Sequence, residues 1–181
     1  MIKKKTTYLD SYSSKIDSLL KQQNSKFELL CKKIKSISKR NKIIICGNGG
    51  SSSIASHVAT DISKVLKITA MTFADDNLIT CYANDYGYEN WTVEALKTFS
   101  NPKDLIILIS SSGQSRNIVN AANYAKKNKL SLITLSGFKE NNPLNKIGDI
   151  KFWVNSSSYN HVEMTHHLLL VAAIDRLSKQ A

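Results

Sequence analysis

Two pairs of side chains in this sequence combine a carboxylate with an imidazole at a spacing that suits proton transfer. His57 and Asp61 are four residues apart, and so are Glu163 and His167. Residues four apart share one face of an α-helix, so each pair would present both groups to the same neighbour. Carboxylates and imidazoles act as general bases and acids, and both also bind metal ions. The two pairs therefore predict one proton-transfer site or one metal site.

A serine-rich segment, residues 110–115, is the second feature that can do chemistry. It reads Ser-Ser-Ser-Gly-Gln-Ser, follows the apolar run 105–109 and leads into a helical pattern. Backbone amides at a helix N-terminus point outward with the positive end of the helix dipole, and hydroxyls add further donors. This arrangement fits a phosphate monoester, and the alternative is an ordinary serine-rich helix cap.

A glycine-rich turn, residues 47–51, follows another apolar run at 42–46. It reads Gly-Asn-Gly-Gly-Ser, so it has neither the GxGxxG spacing of a dinucleotide site nor the lysine of a P-loop. No nucleotide cofactor is therefore expected. The glycines would let a ligand approach the backbone, with Asn48 and Ser51 offering polar contacts.

Short apolar runs alternate with helical patterns along the chain. The predicted strands are residues 42–46, 69–73, 105–109, 130–136 and 151–154. The predicted helices are residues 8–24, 26–39, a segment from the glycine turn to 65, 116–128 and 160–179.

The order of these elements predicts the fold. Strands that alternate with helices form βα units with a parallel sheet, and strands that are apolar throughout are buried on both faces. We expect residues 1–181 to form a single α/β domain, a three-layer αβα sandwich with a five-stranded parallel sheet. Residues 41–181 would form this core, and residues 1–40 two extra helices that pack in an oligomer. Ligands of open α/β sheets bind at the carboxyl edge of the strands, where both loops would lie.

The charge of the chain is basic but does not indicate nucleic-acid binding. The net charge is +11, and residues 1–45 carry 12 of the 25 basic residues against three of the 14 acidic ones. The chain has only three arginines. Arginine is the residue that most often recognises bases and forms bidentate hydrogen bonds with phosphates. Lysines on the outer faces of two helices are more typical of a solvated surface, so no nucleic-acid partner is expected.

Composition and cysteine usage favour a cytoplasmic protein without a membrane segment. The chain is 42% hydrophobic, and its longest apolar runs are of strand length. Lys3, Lys4 and Lys5 are not followed by the apolar stretch of a signal peptide. The three cysteines are scattered and odd in number, which is typical of reduced thiols in the cytoplasm.

Taken together, the motifs resemble the sugar isomerase (SIS) domain family, and within it the phosphoheptose isomerases. Those enzymes convert sedoheptulose 7-phosphate to a mannoheptose 7-phosphate. The resemblance rests on the turn 47–51, on His57 and Asp61, on residues 83–88 (Ala-Asn-Asp-Tyr-Gly-Tyr) and on the serine segment 110–115. It covers nearly the whole chain and implies a flavodoxin-like SIS fold and a homotetramer with active sites at subunit interfaces.

The resemblance also implies roles for individual residues. It implies that the phosphate is held by Ser110, Ser111, Ser112 and Ser115. It implies that the sugar is contacted by Asn48, Gly49, Gly50, Asn84 and Asp85.

The sequence departs from the family at the acid–base site. The family has Glu where Asp61 stands, and its zinc ligands include a Gln and a His eight residues apart on the last helix. Glu163 matches that Gln, but the position eight residues later is Val171. Zinc binding is therefore one of two expectations, and a site that works without metal is the other.

A histidine from another turn of the last helix is expected to replace the missing one. His167 lies about 40° from Glu163 around a helix and His166 about 60°, which favours His167 only slightly. We predict Asp61, Glu163 and His167 as catalytic residues. If zinc binds, the expected ligands are His57, Asp61, Glu163 and His167.

Two functions from different classes follow. The first is a sugar-phosphate aldose–ketose isomerase, specifically a phosphoheptose isomerase supplying heptose for lipopolysaccharide or other surface polysaccharide. The second is a non-catalytic SIS-domain protein that binds phosphosugars or associates with the replication initiator DnaA, an alternative favoured by the missing histidine. The expected partners are a phosphorylated sugar and further copies of this chain.

Overall fold

Five parallel strands form the sheet in the computed structural model, which describes residues 6–179. The strands are β1 (Ile43–Cys46), β2 (Ala70–Thr72), β3 (Leu105–Ser110), β4 (Ser131–Ser136) and β5 (Ile150–Trp153). They lie in the order β2-β1-β3-β4-β5, and every neighbouring pair is parallel. This is the flavodoxin-like order, so the predicted fold class is confirmed. Lys3, Lys4 and Lys5, on which the signal-peptide argument rests, lie outside the described residues.

Helices connect the strands and precede them. They are α1 (Tyr8–Lys21), α2 (Asn24–Lys35), α3 (Gly50–Asp61), α4 (Asp76–Tyr86), α5 (Trp91–Phe99), α6 (Arg116–Lys127), α7 (Pro143–Ile147) and α8 (Tyr159–Ser178). A short π-helical segment, Ile62–Leu66, continues α3.

The sheet is covered on both faces because successive side chains of each strand point to opposite sides. Ile43 and Ile45 of β1 pack in one cluster with α3 and α8. Ile44 and Cys46 pack in a second cluster with α5 and α6. Every residue of β1 and β3 is buried, which explains why these strands read as continuous apolar runs.

The strand order places two loops side by side. Moving outward from the centre of the sheet, β1 leads to β2 on one side and β3 leads to β4 on the other. The loops that leave the carboxyl ends of β1 and β3 therefore diverge to opposite faces, and a crevice opens between them. The glycine turn 47–51 and the serine segment 110–115 both lie at this crevice.

The two leading helices pack on the last helix. α1 and α2 contact α8, and α2 also contacts β5. Ile16 and Leu19 of α1 are buried, whereas Tyr8 and Leu9 are exposed. Of the helices within residues 6–179, none is long and apolar enough to cross a membrane.

The segment between β2 and β3 contains helices that the sequence patterns did not predict. α4 has no buried residue, because its apolar side chains are only half-covered. Its pattern therefore lacks the continuous apolar stripe by which a helix is recognised. The helix predicted to reach residue 65 is α-helical only to Asp61 and then widens into the π-helical segment.

Candidate active site

A cavity of ≈ 260 Å³ lies at the carboxyl edge of the sheet, between the loops that follow β1 and β3. Its walls come from those two loops, from the end of β3 and from the start of α8. The lining residues are Asn48, Gly49, Gly50, Ser51, Ile109, Ser110, Ser111, Ser112, Ser115, Tyr159 and Glu163. The structure thus brings together the predicted residues of both loops and one carboxylate from the far end of the chain.

The glycine turn can form only with small residues. Gly49 has φ +54°, a backbone conformation that favours glycine, and it caps α3. A side chain at Gly47 would lie 2.6 Å from Cβ of Ser51. The turn therefore folds tightly and leaves the backbone of residues 49–51 facing the cavity.

The serine loop is braced from within. The Ser110 hydroxyl donates to Oγ of Ser115 at 3.0 Å, and the Gly113 amide donates to the Ser110 carbonyl at 2.9 Å. Ser115 is the N-cap of α6, and among the described residues no side chain bonds to the first amides of that helix as a cap. Free amides and several hydroxyls at a helix N-terminus form a site for an anion.

Glu163 contributes the carboxylate of the cavity. It lies in the first turns of α8, and its Oε1 accepts a long hydrogen bond from the Ser111 hydroxyl at 3.4 Å. The missing side chain of Gly50 makes room for it, since a Cβ there would lie 2.8 Å from Cδ of Glu163. The predicted catalytic residue Glu163 therefore lies beside the predicted phosphate loop, between Gly50 and the Ser111 hydroxyl.

Asp61, His57 and His167 form a hydrogen-bonded chain on the outer side of α3 and α8. His57 Nε2 lies 3.1 Å from Asp61 Oδ2, and His57 Nδ1 lies 2.8 Å from His167 Nε2. If His57 carries its proton on Nε2 and donates to Asp61, its Nδ1 accepts a hydrogen bond from Nε2–H of His167. Burial, and then the charge of His57, lowers the pKa of His167, while Asp61 acts in the opposite direction. A lowered pKa favours the neutral imidazole at physiological pH.

This chain lies beside the cavity and not in its lining. His167 follows Glu163 by one helical turn, a rise of about 6 Å along α8. Asp61 and His57 lie toward the end of α3, whereas Gly50, which meets Glu163, begins it. The predicted acid–base residues therefore form two neighbouring groups, one inside the cavity and one a turn away.

The donor set predicted for zinc is not assembled in this arrangement. His57 and His167 direct nitrogens at each other, and the Glu163 carboxylate lies against Gly50 and Ser111. Within residues 6–179, no group of three or more His, Cys, Asp or Glu side chains is arranged to hold a metal ion. These residues as placed do not fit a four-donor site, and zinc binding stays a prediction.

His166 and His167 have separate surroundings. His166 is fully buried, and its Nε2 lies 3.2 Å from the Ser136 carbonyl at the end of β4. Burial lowers the pKa of His166 to about 4, so its imidazole is neutral. Of the two candidates, His167 is the histidine next to His57, and His166 belongs to the core.

Asn84 and Asp85, which the resemblance assigns to the sugar, lie elsewhere on the chain. They are exposed on α4 and hydrogen-bonded to each other at 3.0 Å, and neither lines the cavity. Their predicted contact with a sugar stays a prediction.

A second cavity of ≈ 490 Å³ adjoins the first and shares Asn48 and Ser115 with it. Its lining residues are Asn48, Tyr86, Gly87, Tyr88, Glu89, Asn90, Ser115, Arg116 and Asn117. Asn117 was missed by sequence reasoning, although one signal was available. It is a polar residue in the apolar stripe that α6 buries, together with Ile118 and Ala121.

Comparison with known proteins identifies the class that this fold and site define. Residues 7–137 match the SIS domain family, so the chain belongs to that family. A phosphoheptose isomerase of Campylobacter jejuni is 36% identical over 160 residues, covering 84% of this chain and 83% of the relative. One of Helicobacter pylori is 28% identical over 176 residues, covering 94% and 90%.

Solved structures agree on the fold. The structure of a phosphoheptose isomerase from Francisella tularensis matches with a TM-score of 0.84 and 24% identity. The match covers 96% of this chain and 95% of that one. The predicted SIS fold is thereby confirmed.

Proposed function

We propose that this protein is a phosphoheptose isomerase that converts sedoheptulose 7-phosphate to glycero-manno-heptose 7-phosphate. One observation supports this most strongly. A serine-rich helix N-terminus, suited to a phosphate, and the carboxylate of Glu163 line the same cavity at the switch point of the sheet. Sequence relatives that cover most of this chain carry the same enzyme name.

The reaction moves a proton between two neighbouring carbons. A base removes a proton from C1 of the ketose while the C2 oxygen gains one, which forms an enediol. The base then returns its proton to C2 as the C1 hydroxyl loses one and becomes a carbonyl. Glu163 is the base in this proposal, because it is the carboxylate that reaches the cavity. The amides of the serine loop hold the phosphate, and those of the glycine turn face the oxygens that become negative.

The Asp61–His57–His167 chain would assist the proton transfers at the C1 and C2 oxygens. It lies one turn of α8 beyond Glu163, and neutral imidazoles joined by a hydrogen bond can accept a proton on one side as they release one on the other. In this role Asp61 orients His57, and His57 orients His167. Because none of the three lines the cavity, they would act on the sugar oxygens indirectly, through intervening groups.

The wider setting of the enzyme is also a proposal. We propose a homotetramer, supported by apolar side chains that one copy leaves exposed on α1 and α8, including Leu9, Met164 and Leu168. We propose a cytoplasmic location, which agrees with three cysteines that are all free. We also propose that the product supplies heptose for lipopolysaccharide.

Turnover of purified protein tests the proposal. Sedoheptulose 7-phosphate is incubated with the protein in D₂O, and aldose formation and deuterium at C2 are followed by NMR. We expect both in wild type and neither in Glu163→Gln, whereas Glu94→Gln, a carboxylate change on α5 beside Lys97, keeps wild-type rates. Phosphosugar binding without turnover of this or any other ketose phosphate would instead support the non-catalytic binding protein. Capture of DnaA by a protein without turnover would support the adaptor function.

A further inference from the structure

The side chain of Asn48, which lines both cavities, is held from behind by a buried amide. Asn48 Nδ2 donates to Oδ1 of Asn117 at 2.9 Å, and Asn117 Nδ2 donates back to Oδ1 of Asn48 at 3.0 Å. Asn117 is 2% exposed. The two amides therefore pair edge to edge, with one donor and one acceptor from each.

A third residue completes the arrangement. The second Nδ2 proton of Asn117 is donated to Oγ1 of Thr92 at 3.1 Å, and Thr92 is fully buried. A primary amide has two N–H donors, so both donors of Asn117 are used. The loop after β1 is thus joined to α5 and α6 through side chains alone.

This pairing leaves half of the hydrogen-bonding groups of the Asn48 amide free for other partners. One edge of its amide is occupied by Asn117, and one N–H and one lone pair remain for a ligand in the cavity. Without Asn117, the amide could rotate about its terminal bond, since such torsions are broad and only weakly restricted. The buried pair therefore decides which atoms of Asn48 a substrate meets.

We infer that Asn117, supported by Thr92, is a positioning residue that holds the Asn48 amide toward the reacting oxygens of the sugar. This inference rests on the proposed isomerase function. The sugar oxygen that the Asn48 amide would contact gains negative charge as the enediol forms. An N–H held in place for that oxygen stabilises the transition state more than the bound ketose.

The role predicts a particular kinetic signature. Loss of an interaction that is made mainly in the transition state lowers kcat and leaves KM nearly unchanged. A misplaced catalytic contact can cost about 100-fold in rate. We expect Asn117→Leu to lower kcat by about 10- to 100-fold and Thr92→Val by a smaller factor, with KM in both within about twofold of wild type.

Two control variants test whether the effect of Thr92→Val comes from the lost hydrogen bond to Asn117. Thr92→Ser keeps the acceptor for Asn117 and is expected to keep wild-type kcat. Thr134→Val removes a buried hydroxyl that has no hydrogen-bond partner among the described residues, on a strand in the core. It is also expected to keep wild-type kcat, and thermal unfolding confirms that each variant is folded.

A double-mutant cycle tests whether Asn117 acts through Asn48. If it does, Asn48→Ala combined with Asn117→Leu has the kcat of Asn48→Ala alone, because the positioned group is already absent. The inference would be overturned if the effects of Asn48→Ala and Asn117→Leu on kcat multiplied in the double variant. It would also be overturned if kcat were unchanged in Thr92→Val and Asn117→Leu, or if Thr134→Val lowered kcat as much as Thr92→Val.

The experiment separates this inference from the proposed function. Absence of turnover in wild type would overturn the isomerase, and with it the catalytic role of Asn117. The amide pair itself is then checked by NMR of the Asn48 side-chain NH₂ group, assigned by its loss in Asn48→Ala. A changed NH₂ chemical shift in Thr92→Val, but not in Thr134→Val, supports the positioning of Asn48, and no change overturns it.

Discussion

Glu163 contacts Gly50, and this contact brings a residue near the end of the chain into the site formed by the loop after β1. The carboxylate occupies the space that any side chain at position 50 would take. Gly50 is therefore required for close approach rather than for a left-handed backbone, since it is Gly49 that has the positive φ. This makes position 50 a sensitive probe of where the Glu163 carboxylate must lie.

Gly50→Ala is expected to lower kcat by about 100-fold, because the new methyl group displaces the base from its position. The fold should tolerate the change, since the displaced atoms end a flexible side chain. Steady-state kinetics and thermal unfolding measure the two effects. In a Glu163→Ala background the same change should have little further effect on kcat, and a full additional loss there would contradict this explanation.

Ser112→Ala is expected to raise KM for the phosphosugar about tenfold, since a hydrogen bond to a charged group contributes roughly 1.5–3 kcal/mol. Among the described residues, its hydroxyl accepts one hydrogen bond, from the Gln114 amide at 3.2 Å, so the turn should survive its loss. The inhibition constant of inorganic phosphate should rise in parallel, and Ser36→Ala at the C-cap of the distant α2 should change neither. Unchanged constants for Ser112→Ala and for Ser115→Ala would show that the anion binds elsewhere.

At the scale of elements, α8 carries the proposed base Glu163 and His167, and His166 fixes it to the sheet. The His166 ring reaches the Ser136 carbonyl at the carboxyl end of β4, one turn from Glu163. Its Nδ1 is buried without a partner among the described residues. A neutral imidazole fits this place, and a protonated one would place a charge in the core.

The stability of the protein should therefore begin to fall at a pH above the range in which Asp104 and Asp149 lose their contribution. The pKa of His166 is about 4 in the folded chain and about 6.5 in the unfolded chain, so the unfolded state binds more protons between these values. His166 thus destabilises the fold progressively as pH falls from 6.5 to 4, by on the order of 3 kcal/mol. Asp104 and Asp149, whose pKa values are lowered, lose their contribution only below this window.

Urea unfolding at several pH values measures this effect. His166→Gln keeps a donor for Ser136 but does not titrate, so its free energy of unfolding should depend less on pH than that of wild type. The pKa of His167 is also lowered and acts in the same direction, so the difference between the two proteins isolates His166. His161→Gln, at a half-buried position of the same helix, is the matched control. Parallel curves for wild type and His166→Gln would contradict the assignment.

At the scale of the whole molecule, a single copy leaves apolar surface open around α1 and α8. A cavity of ≈ 490 Å³ runs between these helices beside Tyr12, Met164, His167 and Leu168. The Asp61–His57–His167 chain reaches this same surface through His167. Contact between copies here would cover both the apolar groups and the histidine pair.

Leu168→Glu is expected to dissociate the tetramer, because it places a charge in an apolar contact between copies. Sedimentation velocity at micromolar concentration should show a tetramer for wild type and smaller species for this variant. Val65→Glu, at an exposed apolar position on the π-helical segment, should sediment as wild type. A wild-type protein that sediments as a stable monomer would contradict the proposed assembly.

Local patterns in the sequence determined the five parallel strands, the two ligand loops and the fold class. Continuous apolar runs such as β1 and β3 report burial on both faces, and a glycine turn or a serine-rich helix start reports a backbone geometry that needs no distant partner. These signals depend on neighbours in the chain and can be read from it. The helix α4 was missed because a half-covered helix lacks a clear apolar stripe.

Only the tertiary structure decided which polar groups meet. Four-residue spacing grouped Glu163 with His167, yet packing of α8 on α3 placed Glu163 at Gly50 and His167 at His57. The choice between His166 and His167 depended on which face of α8 meets β4, and helix geometry alone separated them by a small angle. The pairing of Asn48 with Asn117 joins positions that are 69 residues apart. Such contacts depend on distances across the fold, which residue types and spacings do not specify.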